Sequence, residues 1–225
     1  MKYKGILSSD ARGSINGVVA SRNRFGTYFR AKGIPVNPRS TKQVIVRARL
    51  NQLSASWRTL TAVQQLAWVT LAAQVPYSNS IGDQIFLSGQ QLFVAWNLVL
   101  LQASLLQNNN APAVPPAVAD PVTITLNAQA TLATFQVGVG GTLTAPDRVL
   151  IEATPPISAG RAFVSPSLWR FLATASATGT QNLTVNFTTA FGTLSVGARV
   201  YARITPFNAS VGMKGLPVQT SILLV

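Results

Sequence analysis

NNNAPAVPPAVADP, residues 108–121, divides the chain into two parts with different hydrophobic periods. Its prolines fix φ and withhold backbone donors, so it reads as a stiff linker and not as part of a helix or a central strand. Downstream the apolar period is two. VTITLNA (122–128), LATFQVGV (132–139), RVLIEAT (148–154), FVSPSLWRFLATAS (163–176), LTVNFTT (183–189), RVYARITPFN (199–208) and PVQTSILLV (217–225) are strand candidates separated by turn residues. Their number and spacing describe an antiparallel β-sandwich. The expected fold class is therefore α+β in two domains: a basic arm, β-hairpin and small helical bundle over 1–107, the Pro-rich linker over 108–121, and a β-sandwich domain over 122–225.

Upstream, VVASR (18–22) and TYFRA (27–31) alternate like strands on either side of NRFG (23–26), which predicts a β-hairpin with Arg22, Arg24 and Phe25 at its tip. Gly5, Gly13 and Gly17 point to an extended arm before it. Pro35 and Pro38 end the hairpin, and Ser40 or Thr41 offers an N-cap for the helix KQVIVRARLNQLSASWRTL (42–60). Val46, Leu50, Leu53 and Trp57 fall at i, i+4, i+7 and i+11, one apolar stripe with Arg47, Arg49 and Arg58 beside it. TAVQ (61–64) has the form of a capping box and opens a second helix that Pro76 stops. That helix lacks the polar recognition face of a base-reading helix-turn-helix. After the loop PYSNSIGD (76–83), IFLSGQQLFVAWNLVLLQASLL (85–106) carries no charge. Gly89, Gln90, Gln91, Asn97 and Gln102 interrupt it and no aromatic or cationic belts flank it. The expectation is a helix buried between helices or between subunits, with no membrane span.

Charge is distributed unevenly. Residues 1–60 hold Lys2, Lys4, Arg12, Arg22, Arg24, Arg30, Lys32, Arg39, Lys42, Arg47, Arg49 and Arg58 against the single acid Asp10, a balance of +11 out of the chain's +13. No Lys or Arg occurs between Arg58 and Arg148. A region so poor in charge lacks the usual solvated, salt-bridged surface and is expected to have protein neighbours. Eight of the twelve N-terminal cations are arginine, the side chain suited to bidentate pairing with carboxylate or phosphate. The candidate residues for contact with a partner or polyanion are Arg22, Arg24, Phe25, Arg30, Arg39, Arg47, Arg49 and Arg58.

Catalysis has little to work with. The chain contains no histidine and no cysteine, which removes the usual general base, the thiolate nucleophile and the commonest metal ligands. Its acids are Asp10, Asp83, Asp120, Asp147 and Glu152, with no pair at helical i, i+3 or i, i+4 spacing. Asp147 and Glu152 flank the strand candidate RVLI and read as its polar ends. The protein is expected not to be an enzyme, with no catalytic, cofactor or metal site. MKYKGILSSDARG (1–13) has no apolar core of a secretory signal, so folding in the cytoplasm is expected.

Two resemblances add to this. VGARVYARITPFNASVGMKGLPV (196–218), with a tyrosine on its first strand, resembles the last hairpin of fibronectin-type-III and Ig-like modules, an architectural likeness over roughly residues 120–225. The series SRNRFGTYFR, VNPRSTKQVIVRARL, WRTLTAVQQLAW and LSGQQLF, over roughly residues 13–97, resembles a family of bacteriophage and prophage-associated proteins that also end in a β-sandwich. That resemblance implies a virion component, such as a capsid decoration or minor head or tail protein. Its partners would be capsid or other virion proteins and further copies of itself. The alternative open at this point is a protein that binds nucleic acid without reading sequence, through its basic first 60 residues.

Overall fold

The computed structural model describes residues 13–23, 26–78, 81–117 and 123–225. They form an α+β protein with four α-helices and mainly antiparallel sheets. Two compact units appear, Met1–Val44 and Ile45–Val225.

In the first unit β1 (Gly13–Ile15), β2 (Val18–Asn23) and β3 (Gly26–Ala31) form a sheet in that order. The β2–β3 hairpin is the one expected from the sequence, in register from Val18↔Ala31 to Asn23↔Gly26. Its tip residues Arg24 and Phe25 lie outside the described residues, as does Gly5 of the expected arm. Gly13 and Gly17 do not belong to a plain extended arm. Asn16 and Gly17, both at positive φ (40° and 86°), make the two-residue turn joining β1 to β2, where mirror-image turn geometry matches the strand twist. Residues 32–40 are exposed and carry no regular structure.

Helix α1 (Thr41–Thr59) starts behind Ser40, whose Oγ accepts the Gln43 N–H at 3.5 Å. Helices α2 (Ala62–Ala72) and α3 (Gly89–Gln102) both begin with capping boxes. Thr61 and Gln64 exchange side-chain-to-backbone bonds at 3.3 and 3.0 Å, and Ser88 and Gln91 do so at 3.3 and 2.9 Å. The segment between α2 and α3 was expected as a loop. It contains a short ribbon of β4 (Pro76–Ser78) and β5 (Gln84–Phe86), so α3 starts at Gly89 and not near Ile85.

Leu53, Trp68, Leu71, Leu92, Phe93 and Trp96 form the core of the helical part, with Trp68 set edge-on to both Phe93 (5.4 Å) and Trp96 (5.9 Å). Gly89 permits close packing here, because a Cβ would stand 2.7 Å from Val69 Cγ2. Helix α3 is buried on two sides. Beyond its contacts with the other helices, Val99 and Leu100 pack on Leu150 and Phe207 of the strands. No described helix is long and apolar enough to cross a membrane.

The C-terminal strands are β6 (Thr123–Gln129), β7 (Thr134–Gly140), β8 (Asp147–Ala153), β9 (Ile157–Ser158), β10 (Arg170–Ala175), β11 (Gly179–Asn182), β12 (Ala198–Asn208) and β13 (Val218–Leu223). One sheet runs β10-β8-β12-β13 with β9 also on β12, and the other runs β11-β7-β6. Phe135, Val137 and Val139 from the second sheet share one apolar core with Val149, Ile151, Val200, Ala202 and Ile204 from the first.

LTVNFTT was expected as a strand and is instead mostly helix α4 (Thr184–Phe191). Leu183, Phe187 and Phe191 recur at i, i+4, i+8. Phe187 is fully buried and stacked on Phe135 at 4.4 Å, so burial of these rings outweighs the strand preference of Thr, Val and Phe. The division expected at residues 108–121 differs from the one observed between Val44 and Ile45. The described start of the Pro-rich segment is fastened to its surroundings. Buried Asn97 donates to Asn108 O (3.1 Å) and accepts from Asn108 N (2.6 Å), Asn108 Nδ2 donates to Ser210 O (3.0 Å), and Trp68 Nε1 donates to Asn109 O (3.0 Å).

Candidate interaction surface

The β1–β3 sheet has regular pairing. Among the described residues from 13 to 44 every side chain assigned an exposure is exposed or intermediate. Strand alternation puts Val18, Ala20 and Arg22 on one face with Phe29 and Ala31, while Arg30 shares the other face with Val19, Ser21 and Tyr28. Val18 and Phe29 are 43% and 41% exposed, and Ile34 and Val36 beyond the sheet are 85% and 89% exposed. Arg22 and Arg30 are both exposed but lie on opposite faces, so the sheet is cationic on two sides.

Arg39 lies in the segment leading to α1. It is exposed and sits at φ 46°, its N–H 3.4 Å from Asn37 Oδ1. A left-handed backbone at a residue with a Cβ costs roughly 1 kcal/mol, which this bend tolerates to turn the chain into the helix.

On α1 the expected stripe is split. Leu53 is fully buried and Trp57 packs on Phe93 at 5.5 Å, but Val46 and Leu50 are exposed, as is Ile45. Arg47 and Arg58 flank the stripe on one side and Arg49 on the other. Arg58 Nε donates to Ser54 O at 3.3 Å. The first half of α1 thus presents an apolar strip between arginines, where a helix seated on its own core would bury that strip. The structure brings Arg47, Arg49 and Arg58 together on one element and Arg22 and Arg30 together on another. Arg24 and Phe25 lie outside the described residues.

Sequence reasoning named the cations and missed the apolar side chains between them. Val18, Phe29, Ile34 and Val36 were legible as hydrophobic, but their lack of a core was not. From residue 11 to residue 60 the sequence contains no acid. This stretch of sequence is therefore strongly cationic.

Elsewhere the two acids that flanked RVLI have structural surroundings. Glu152 is paired with Arg203 at 2.6 Å, and the Arg203 guanidinium lies over the Trp169 ring at 4.4 Å. Asp147 is buried at the start of β8. Among the described residues no three His, Cys, Asp or Glu side chains gather as a metal site.

A separate cleft of about 390 Å³ opens where α3, β4 and the β12–β13 connection meet, lined by Val75, Pro76, Tyr77, Ala95, Trp96, Val99, Met213 and Lys214 among others. Tyr77 Oη accepts the Trp96 Nε1–H at 2.8 Å. Burial raises the Tyr77 pKa, opposed by that hydrogen bond. Although Lys214 reaches solvent, the cleft withdraws enough water to lower its pKa, while Glu152 raises it and Arg203 lowers it further. No sequence signal pointed to this cleft, whose walls are separated by more than a hundred residues of chain.

No protein-family model matches the chain, and no curated protein matches it.

Proposed function

We propose that the protein is a non-enzymatic structural component of a virus particle, a capsid-associated, decoration or minor head or tail protein that assembles through its basic N-terminal region. Two observations carry this reading: a regular three-stranded sheet in which no side chain of described exposure is buried, and a helix whose apolar strip is exposed between arginines. A sheet of this size is stable only when an apolar face is covered. The resemblance of the N-terminal motifs to phage-associated proteins makes a virion the setting in which such cover is supplied, by other virion proteins or by further copies of the chain.

The finer architecture belongs to the same proposal. Residues 122–225 are a β-sandwich of the fibronectin-III or Ig-like kind, supported by two sheets sharing a core and by Tyr201 on β12, whose hydroxyl donates to Arg161 O at 2.8 Å. Helix α4 is a departure from an all-strand module.

The second reading is binding of nucleic acid, favoured by arginines without acids. The apolar side chains between those arginines weigh against it, since neutralising a phosphate backbone needs no apolar cover.

Light scattering of the purified protein at low and high salt, with and without nuclease, decides between the two. A defined oligomer or polymer that survives nuclease is expected. A monomer that co-purifies with nucleic acid and sheds it in salt would overturn the structural reading in favour of the second.

A further inference from the structure

The cleft beside α3 lies where the β12–β13 connection, whose Val211 and Met213 pack on the helical core, meets that helix. Gly212 has φ 86°, and a Cβ there would run into the Trp96 carbonyl oxygen, so the β12–β13 connection is pressed against the helix backbone. The connection is then fastened on both sides of Lys214. Asn208 N donates to Met213 O at 2.9 Å, Gly215 N donates to Pro206 O at 2.8 Å, and Lys214 bridges to Phe207. The Lys214 backbone is held at the mouth of the cleft by these bonds and not by its own side chain.

Two donors in the cleft have no acceptor. Tyr77 Oη receives the Trp96 N–H, which leaves the Tyr77 proton to be donated, and no described residue takes it. The Lys214 ammonium makes no hydrogen bond or ion pair with a described residue; Glu152, the acid that acts on it electrostatically, is paired with Arg203. Around these donors the walls are apolar: Val75, Pro76, Ala95, Val99 and Met213. A pocket of this size with a few convergent polar groups on an apolar lining has the character of a ligand site. Because both groups donate and one is cationic, the complementary ligand carries an anionic acceptor on an apolar body.

The geometry points to capture of a polypeptide's C-terminal carboxylate, with the carboxylate on Lys214 and Tyr77 and an apolar last side chain against Val99, Ala95 and Met213. A chain end is favoured over a free small acid by the edge of the cleft. β4 pairs only with β5 among the described strands, so its second edge offers unpaired backbone groups to an extended peptide. Residues 224 and 225 are not the occupant. Leu224 is buried with its N–H on Ala198 O at 2.8 Å, and Val225 O accepts from Ala130 N at 3.3 Å. The occupant assigned here is the end of a different polypeptide.

Calorimetric titration of the full-length protein with N-acetyl-Gly-Gly-Leu, as the free acid and as the C-terminal amide, tests this. The acid is expected to bind with a Kd below about 1 mM and the amide not at all. Lys214→Met, at an exposed position, should keep the fold and weaken acid binding about ten-fold, the loss expected for one charge-assisted hydrogen bond. Tyr77→Phe should weaken it less and also lower the melting temperature, because Trp96 Nε1 loses its acceptor. Equal binding of acid and amide, unchanged binding by Lys214→Met, no heat up to about 5 mM peptide, a concentration that detects millimolar affinity, or binding of octanoate in place of the peptide would each overturn the assignment.

Discussion

The β1–β3 sheet and the β8–β12 pair have the same antiparallel hydrogen-bond ladder and opposite burial. On β8, Val149, Leu150, Ile151 and Ala153 are all buried, because α3 covers one face of its sheet and the β11-β7-β6 sheet shares a core with the other. In β1–β3 no side chain of described exposure is buried. A ladder exchanges bonds to water for bonds within the chain and contributes little net stability, whereas each large apolar side chain taken out of water contributes about 1.5–3 kcal/mol. The comparison teaches that regular pairing does not by itself mark a folded core. The N-terminal sheet has the form of a sheet and leaves Val18 and Phe29 exposed.

The largest effect is expected in the covered part. Phe187→Ala removes a fully buried ring stacked on Phe135 and should cost about 3–5 kcal/mol, read as a fall in the urea midpoint. A cost below about 1 kcal/mol would show that the C-terminal core is looser than its burial implies. Next comes Asn97→Ala, which strips the buried bonds to Asn108 and should cost about 2 kcal/mol by chemical denaturation. If instead it is silent, the fastening of the segment after α3 is not what joins the helices to the strands. The smallest effect sharpens the contrast. Phe29→Ser should change stability by less than about 0.5 kcal/mol, since no core surrounds it, and should lower the assembled fraction measured by light scattering. A large loss of stability without a change in assembly would mean that the sheet has a core of its own.

Local signals were legible where a short segment carries its own reason. The β2–β3 hairpin, the Thr61–Gln64 capping box, strands within six of the seven alternating segments and the burial of the uncharged helix could all be read in the sequence. Asn16-Gly17 and Ser88-x-x-Gln91 are equally local signals, the first hidden because Gly17 reads with Gly5 and Gly13 as part of an extended arm. The failure at LTVNFTT is of another kind. Its residues fit both periods over a short span, and the choice was made by Phe135 from another strand. The prolines of residues 108–121 announced a linker, but the asparagines before them are fixed by Asn97, Trp68 and Ser210, which are distant in sequence. The basic residues of the candidate surface were visible, and the cleft at Lys214 was not.

The sequence by itself determined the chemistry available to this protein: no histidine or cysteine, twelve cations in the first 60 residues, and the local caps and turns that start its helices and hairpins. These depend on residue type and near neighbours, which a linear reading contains. Tertiary structure alone decided which apolar stripes are covered, that α3 joins helices and strands in one unit, and that Tyr77 and Lys214 face one cleft. Those outcomes depend on which surfaces meet, and burial rewards such meetings without regard to separation along the chain.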